Sequence, residues 1–179
     1  MNLVLVGYRG SGKSTVGEIL ARRMGWRFLD LDAVIVERAG QSIAQLFATE
    51  GEAGFRRREK EACESLRKAK NHVVALGGGA LEDPETRLAA KRLGKIVWLR
   101  APAAILWSRI SRDPSSPRNR PDLTPGGGLA EVETTLKLRE ANYGAMAAHQ
   151  VDTISDSPEQ VAEAIELWFR ANDTEQTEA

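Results

Sequence analysis

The chain has 179 residues, a length that favours one domain with a buried core. Its 25 Lys and Arg balance 25 Asp and Glu, so no net field recruits nucleic acid or an anionic membrane, and any anion site must be local. The single cysteine, Cys63, excludes an intrachain disulfide and fits a reducing compartment, and no apolar run approaches the roughly 20 residues of a membrane span.

The first element is an apolar run, Leu3-Val4-Leu5-Val6, entered without a leader pattern. It is too short for a helix and suits a buried parallel strand. Gly7-Tyr8-Arg9-Gly10-Ser11-Gly12-Lys13-Ser14 follows, then Thr15, and Val16, Ile19, Leu20 and Met24 recur at helical spacing. Strand, glycine-rich loop and helix are the setting in which G-x-x-x-x-G-K-[ST] acquires a mechanism. The glycines let successive N–H groups converge on one anion, and the helix N-terminus adds its partial positive charge. Lys13 is placed to reach the β- and γ-phosphates, and the Ser14 hydroxyl to ligate Mg²⁺.

Further on, strands and helices alternate, which argues for an α/β chain with a parallel sheet. Trp26 to Asp30 reads as a second strand; Asp32 to Ala39 and Ser42 to Glu50 read as short helices broken at Gly40. A longer helix is expected from Glu52 to Lys70, a third strand from His72 to Leu76, and a helix from Pro84 to Arg92. Lys95 to Leu99 is the fourth strand, with a helix opening at Pro102. Residues 111–128 hold four of the seven prolines, a second glycine triplet, and Arg112, Arg118 and Arg120. No helix forms across such a stretch, and its length suits a functional loop or lid. A helix is expected from Leu129 to Ala148, a fifth strand from His149 to Thr153, and a last helix after the capping box at Ser157-Pro158-Glu159-Gln160.

Five charged positions resist a purely structural reading. Asp30 and Asp32 sit at the end of the second strand, where open α/β sheets bind ligands. As a pair they could hold a metal-bound water and accept a hydroxyl proton, although Asp32 could instead cap the next helix. Glu59 intrudes on the apolar stripe of Phe55, Ala62, Leu66 and Ala69, with Arg56 one turn back. A plain surface ion pair is the competing account. Arg139 fills the slot between Leu136 and Tyr143 on another stripe, wanting an acidic partner or anionic ligand unless it snorkels outward. Gly77-Gly78-Gly79, directly after a buried strand, permits close approach of a ligand to the backbone. His72 and His149 share no metal-site spacing and read as structural.

Taken in order, Gly7–Thr15, Asp30-Leu31-Asp32, Phe47 with Gly51-Glu52, Phe55-Arg56-x-x-Glu59, Gly77-Gly78-Gly79, Arg120-Pro121 and Arg139 with Tyr143 resemble the shikimate kinase family from Leu3 to about Ile165. The resemblance implies a P-loop kinase fold of the nucleoside-monophosphate-kinase type, three-layered, with a five-stranded parallel sheet and a mobile lid at about 111–128. It implies one domain over 1–172 and a flexible tail over 173–179. The implied reaction is transfer from ATP, with Mg²⁺, to the 3-hydroxyl of shikimate on the way to chorismate. By position, Gly10, Ser11, Gly12, Lys13, Ser14 and Thr15 would hold ATP, with Arg112 and Pro158 at adenine. Ser14 and Asp30 would serve the metal, the latter through water. Asp32 would hold the shikimate hydroxyls as base or orienter, and Arg120 would descend from the lid to join it and Lys13 in catalysis. Arg56, Arg139 and the Gly78 amide would bind the shikimate carboxylate and ring oxygens; Glu59 would fix Arg56, and Phe47 and Phe55 would wall the pocket.

The sequence departs from that pattern in its proline-rich lid and in Glu140-Ala141-Asn142 before Tyr143, where the family usually has a proline and an apolar residue. A gluconate kinase sharing the phosphate loop is one alternative; the pairing of Arg56 and Arg139 with Asp32 favours shikimate. A non-catalytic relative is another, but such a chain should have lost Lys13, Asp32 or a substrate arginine. A cytoplasmic monomer with small-molecule partners, and with neither nucleic acid nor membrane, is the expectation.

Overall fold

The computed structural model describes residues 1–113 and 127–173. Most of the lid region, with Arg118 and Arg120, and nearly all of the expected tail lie outside the described residues. Five strands form one parallel sheet: β1 (Leu3–Val6), β2 (Arg27–Asp30), β3 (His72–Ala75), β4 (Lys95–Arg100) and β5 (His149–Asp152), in the order β2-β3-β1-β4-β5. Between and after them run α1 (Lys13–Met24), α2 (Leu31–Ala39), α3 (Ile43–Ser65), α4 (Pro84–Leu93), α5 (Ala103–Arg112), α6 (Gly128–Met146) and α7 (Pro158–Asp173), with a 3₁₀ turn at Ala80–Glu82.

The period-two alternation of the strands sorts the core into two layers. Val4, Val6, Val74, Leu76, Ile96 and Trp98 face α2 to α6, where they meet Leu31, Ile35, Phe55, Leu106, Val132 and Tyr143. Leu3, Leu5, Val73, Val97 and Leu99 face the opposite way, onto Val16 and Leu20 of α1 and Val161, Ile165 and Phe169 of α7. Helices on both faces of a five-stranded parallel sheet make the expected three layers. β1 lies at the centre and is buried along its whole length.

Element boundaries differ from expectation mainly in α3. Its expected break is present as a non-helical Gly51 (φ 67°, ψ −176°) inside the helix. The helix ends at Ser65, five residues before the expected Lys70. The cause is tertiary. Buried Asn2 donates from Nδ2 to the carbonyls of Ala69 (2.8 Å) and Leu93 (3.1 Å), and its Oδ1 accepts from the His72 amide (3.1 Å). That bracket turns the chain into β3 through Asn71, whose φ is +62°. The 3₁₀ turn after the glycine triplet was not anticipated. It proves central to the site.

All five strands run in the same direction, so Gly7, Asp30, Leu76, Ala101 and Thr153 emerge on one rim. An open α/β sheet collects ligands on that rim.

Candidate active site

The loop after β1 wraps around its own interior. Gly12 caps α1 in the left-handed region (φ 91°), and no side chain caps that helix. The first N–H groups of α1 are thereby left for an anion. Gly7 (φ 144°) is held to glycine by space as well, since a Cβ would stand 2.5 Å from the Leu99 carbonyl and 2.9 Å from Ser11 Oγ. Ser11 is buried inside the loop. Lys13 arches across it, donating from Nζ to the carbonyls of Gly7 (2.8 Å) and Tyr8 (2.9 Å). Those two bonds aim the ammonium at the concavity and can be exchanged for phosphate oxygens.

At the end of β2 the two aspartates take separate tasks. Asp30 is the N-cap of α2: its Oδ1 accepts from the Asp32 amide at 3.0 Å. Its Oδ2 accepts from Ser14 Oγ at 3.1 Å. The cap role left open for Asp32 therefore belongs to Asp30. A hydroxyl and a carboxylate brought together beside a phosphate loop fit a hard, oxygen-seeking ion such as Mg²⁺, which keeps several waters and takes the rest of its ligands from phosphates. No group of three or more His, Cys, Asp or Glu suited to a metal occurs among the described residues.

Asp32, in the first turn of α2, points toward the glycine triplet. A Cβ on Gly77 would stand 2.8 Å from Asp32 Oδ1 and 2.9 Å from Glu59 Oε1. A Cβ on Gly79 would stand 2.6 Å from Nη2 of Arg56. The triplet thus clears room for the Asp32 and Glu59 carboxylates and the Arg56 guanidinium at the end of β3.

Arg56 and Glu59 form an ion pair, Nη1 to Oε2 at 2.7 Å, with Glu59 1 % exposed and Arg56 14 %. The surface-pair account of these residues is excluded. Burial pushes the Glu59 carboxyl above the usual carboxylate range, and the neighbouring guanidinium only partly offsets it. Burial disfavours the Arg56 charge, but Glu59, Glu52 and Glu82 outweigh it and hold the guanidinium ionised. Arg139 on α6 does not snorkel: its side chain is 11 % exposed and its guanidinium lies over the Tyr8 ring, 5.5 Å from the centroid. Arg139 Nη1 would be 3.6 Å from a Cβ on Gly78, and the Tyr143 hydroxyl donates to the Gly78 carbonyl. Both arginines converge on Glu82 of the 3₁₀ turn.

The aromatic wall depends on the Gly51 kink. Phe47 and Phe55 are eight residues apart, which on a straight helix is a rise of about 12 Å. Their ring centroids instead lie 4.7 Å apart. Phe55 is buried at 4 % and Phe47 is exposed at 36 %, so one ring is core and the other faces out.

On the other flank, Arg109 of α5 ties the phosphate loop to the end of β5. It donates to the Gly10 carbonyl (3.3 Å) and Thr153 Oγ1 (3.0 Å), and also to the Thr153 carbonyl. Arg112 stands exposed one turn further along α5, and Pro158 stands exposed at the start of α7. Arg9 of the loop pairs with Glu131 of α6 at 3.4 Å, and that carboxylate is fully buried. Sequence reasoning missed Arg109, Glu131 and Glu82. None of the three carries a sequence signal: Glu131 lies off the helix face that Leu129, Val132 and Leu136 share, and its burial beside Arg9 appears only in the fold.

A family model described as shikimate kinase matches residues 9–169. A shikimate kinase of Geobacter sulfurreducens is 42 % identical over 169 residues, covering 94 % of this chain and 91 % of that one. A shikimate kinase of Syntrophus aciditrophicus is 40 % identical over 179 residues, with 95 % and 91 % covered. Among solved structures, the shikimate kinase of Acinetobacter baumannii in complex with shikimate superposes with a TM-score of 0.87 at 34 % identity, covering 96 % of this chain and 93 % of that one. A gluconokinase of Sinorhizobium meliloti superposes at 0.63 with 19 % identity, covering 98 % and 97 %, a likeness of fold alone.

Proposed function

The chain belongs to the shikimate kinase family, and on that footing we propose how its own residues move a phosphoryl group from ATP to the 3-hydroxyl of shikimate. It is a kinase that uses ATP and acts on shikimate. The observation that carries the residue assignment is the convergence of Arg56, Arg139, Asp32 and Glu59 on the glycine triplet, beside the phosphate loop.

Shikimate is a small carboxylate with vicinal hydroxyls. Arg56 and Arg139 take its carboxylate, since paired guanidinium forks match that group. Glu59 keeps Arg56 extended toward the ligand, and the Gly78 amide and Phe47 and Phe55 complete the pocket. Asp32 accepts hydrogen bonds from the ring hydroxyls and orients the reacting one. As the oxygen–phosphorus bond forms, the hydroxyl proton passes to Asp32 and the bond to the β-phosphate oxygen breaks, releasing ADP. Lys13 leaves the Gly7 and Tyr8 carbonyls for the β- and γ-phosphates, while the Gly10, Ser11, Gly12, Ser14 and Thr15 segment supplies amides and hydroxyls. Ser14 and Asp30 would hold Mg²⁺, which supplies charge neutralisation at the phosphates when bound. Arg112 and Pro158 border adenine. Arg120, outside the described residues, is assigned to the transferring phosphoryl group by resemblance alone. Catalysis is mainly positioning and charge stabilisation.

The product leads toward chorismate, and the setting is a cytoplasmic monomer. Among the described residues no helix is long and apolar enough to cross a membrane. The test is ADP release measured with shikimate, the carboxamide of shikimate and gluconate, each with and without EDTA. Turnover with shikimate, loss with the carboxamide or EDTA, and little with gluconate is expected. Equal turnover with gluconate would overturn the shikimate assignment, and equal turnover with the carboxamide would overturn the carboxylate assignment.

A further inference from the structure

Glu82 closes the 3₁₀ turn after the glycine triplet, and its carboxylate reaches back across the site. Its Oε2 accepts from Nη2 of Arg56 at 3.0 Å and from Nη2 of Arg139 at 3.0 Å. Its Oε1 accepts from Nε of Arg139 at 3.1 Å. The Nε–Nη2 edge of Arg139 is therefore engaged two-pronged, the way a guanidinium reads a carboxylate. A side chain on Gly79 would push on this meeting, since its Cβ would lie 2.7 Å from Glu82 Oε2 and that carboxylate would have to shift. Glu82 thus sits where two arginines share one carboxylate.

A free carboxylate binding to both arginines would need the same N–H groups. It could not use them while Glu82 remains, because its oxygens would crowd those of Glu82, charge against like charge. Nor does Arg56 have positive charge to spare, with Glu59 at 2.7 Å and Glu52 at 3.0 Å already on it. Glu82 is able to leave. Its side chain is 35 % exposed, against 14 % for Arg56 and 11 % for Arg139. Rotation about its own side-chain bonds carries the carboxylate to solvent, while the two arginines stay packed.

We propose that Glu82 is a tethered stand-in for the substrate carboxylate: a positioning residue that holds Arg56 and Arg139 converged and yields them when shikimate binds. The proposal rests on the assignment of those arginines to the shikimate carboxylate. Being tethered, Glu82 competes without losing translational freedom, so its effective concentration is high. It weakens shikimate binding and, in return, keeps two like-charged guanidiniums together. Other small anions must also displace it, which filters the site in favour of ligands that gain from Asp32 as well.

Calorimetry and steady-state kinetics on the full chain test this, with wild type, Glu82→Gln, Glu82→Ala and Arg139→Lys. Both Glu82 variants should bind shikimate roughly tenfold more tightly, about 1.4 kcal/mol. The KM for shikimate should fall, while kcat and the KM for ATP stay within about twofold. Both variants should also melt lower without shikimate, and saturating shikimate should raise their melting temperature by more than it raises that of wild type. If the Glu82 variants bind shikimate no better or worse than wild type while Arg139→Lys is impaired, the stand-in role is overturned and the arginine assignment survives. If Arg139→Lys binds shikimate as wild type does, the arginine assignment fails and takes the proposal with it.

Discussion

Arg56 Nη1 and Glu59 Oε2 lie 2.7 Å apart, one turn from each other on α3, and the carboxylate of this pair is 1 % exposed. An acid buried that deeply is held for its partner. Burial raises the Glu59 carboxyl above its ordinary value of 4.5, so the folded chain keeps a proton there at pH values where the unfolded chain has released it. Stability therefore falls as pH rises from about 4.5 through the raised folded value. Glu59→Gln removes that contribution. The stability of the variant relative to wild type should rise with pH across this window, as read from urea midpoints at about pH 4 and pH 7. A difference that is constant or falls with pH would mean that the pair is better solvated than its burial indicates.

Asp32→Asn should keep ATP binding and lower turnover by roughly 10²-fold or more, the effect of losing a positioned base or orienter. Asp30, not Asp32, caps α2, so fold stability should be almost unchanged. Single-turnover kinetics beside a melting curve separate the two effects.

Arg139→Lys should weaken shikimate binding by about 1.5–3 kcal/mol, the range for a hydrogen bond to a charged group. That is roughly ten- to a hundredfold. A lysine ammonium cannot reproduce the two-pronged edge now occupied by Glu82. ATP affinity should hold, as a nucleotide titration would show.

Gly77→Ala should damage the site more than Gly78→Ala. The first adds a methyl 2.8 Å from Asp32 Oδ1 and 2.9 Å from Glu59 Oε1, and the second one with no neighbour closer than 3.6 Å among the described residues. Displacing a reacting carboxylate by about 1 Å can cost 10²-fold in rate. Comparison of kcat/KM for shikimate in the two variants decides the order.

What could be read in the sequence was whatever violated a local pattern. The phosphate loop is written in glycine spacing, which the backbone itself requires. Asp32, Glu59 and Arg139 were visible as charges in places that packing alone would not choose, and the structure brings them to the same rim. Glu82 was invisible because it sits on a three-residue turn without periodicity, and its partner Arg139 is 57 residues away. Arg109 escaped for the same reason: its bonds to Gly10 and Thr153 span 99 and 44 residues. The early end of α3 was set by Asn2, a contact no local window contains.

The central claim is that this chain transfers the γ-phosphoryl group of ATP to shikimate. Phosphorus NMR of a reaction containing ATP, magnesium and shikimate tests it most directly. The account predicts one phosphomonoester, on the 3-hydroxyl of shikimate, growing in step with ADP. Free phosphate accumulating with ADP, with no phosphorylated shikimate, would contradict it.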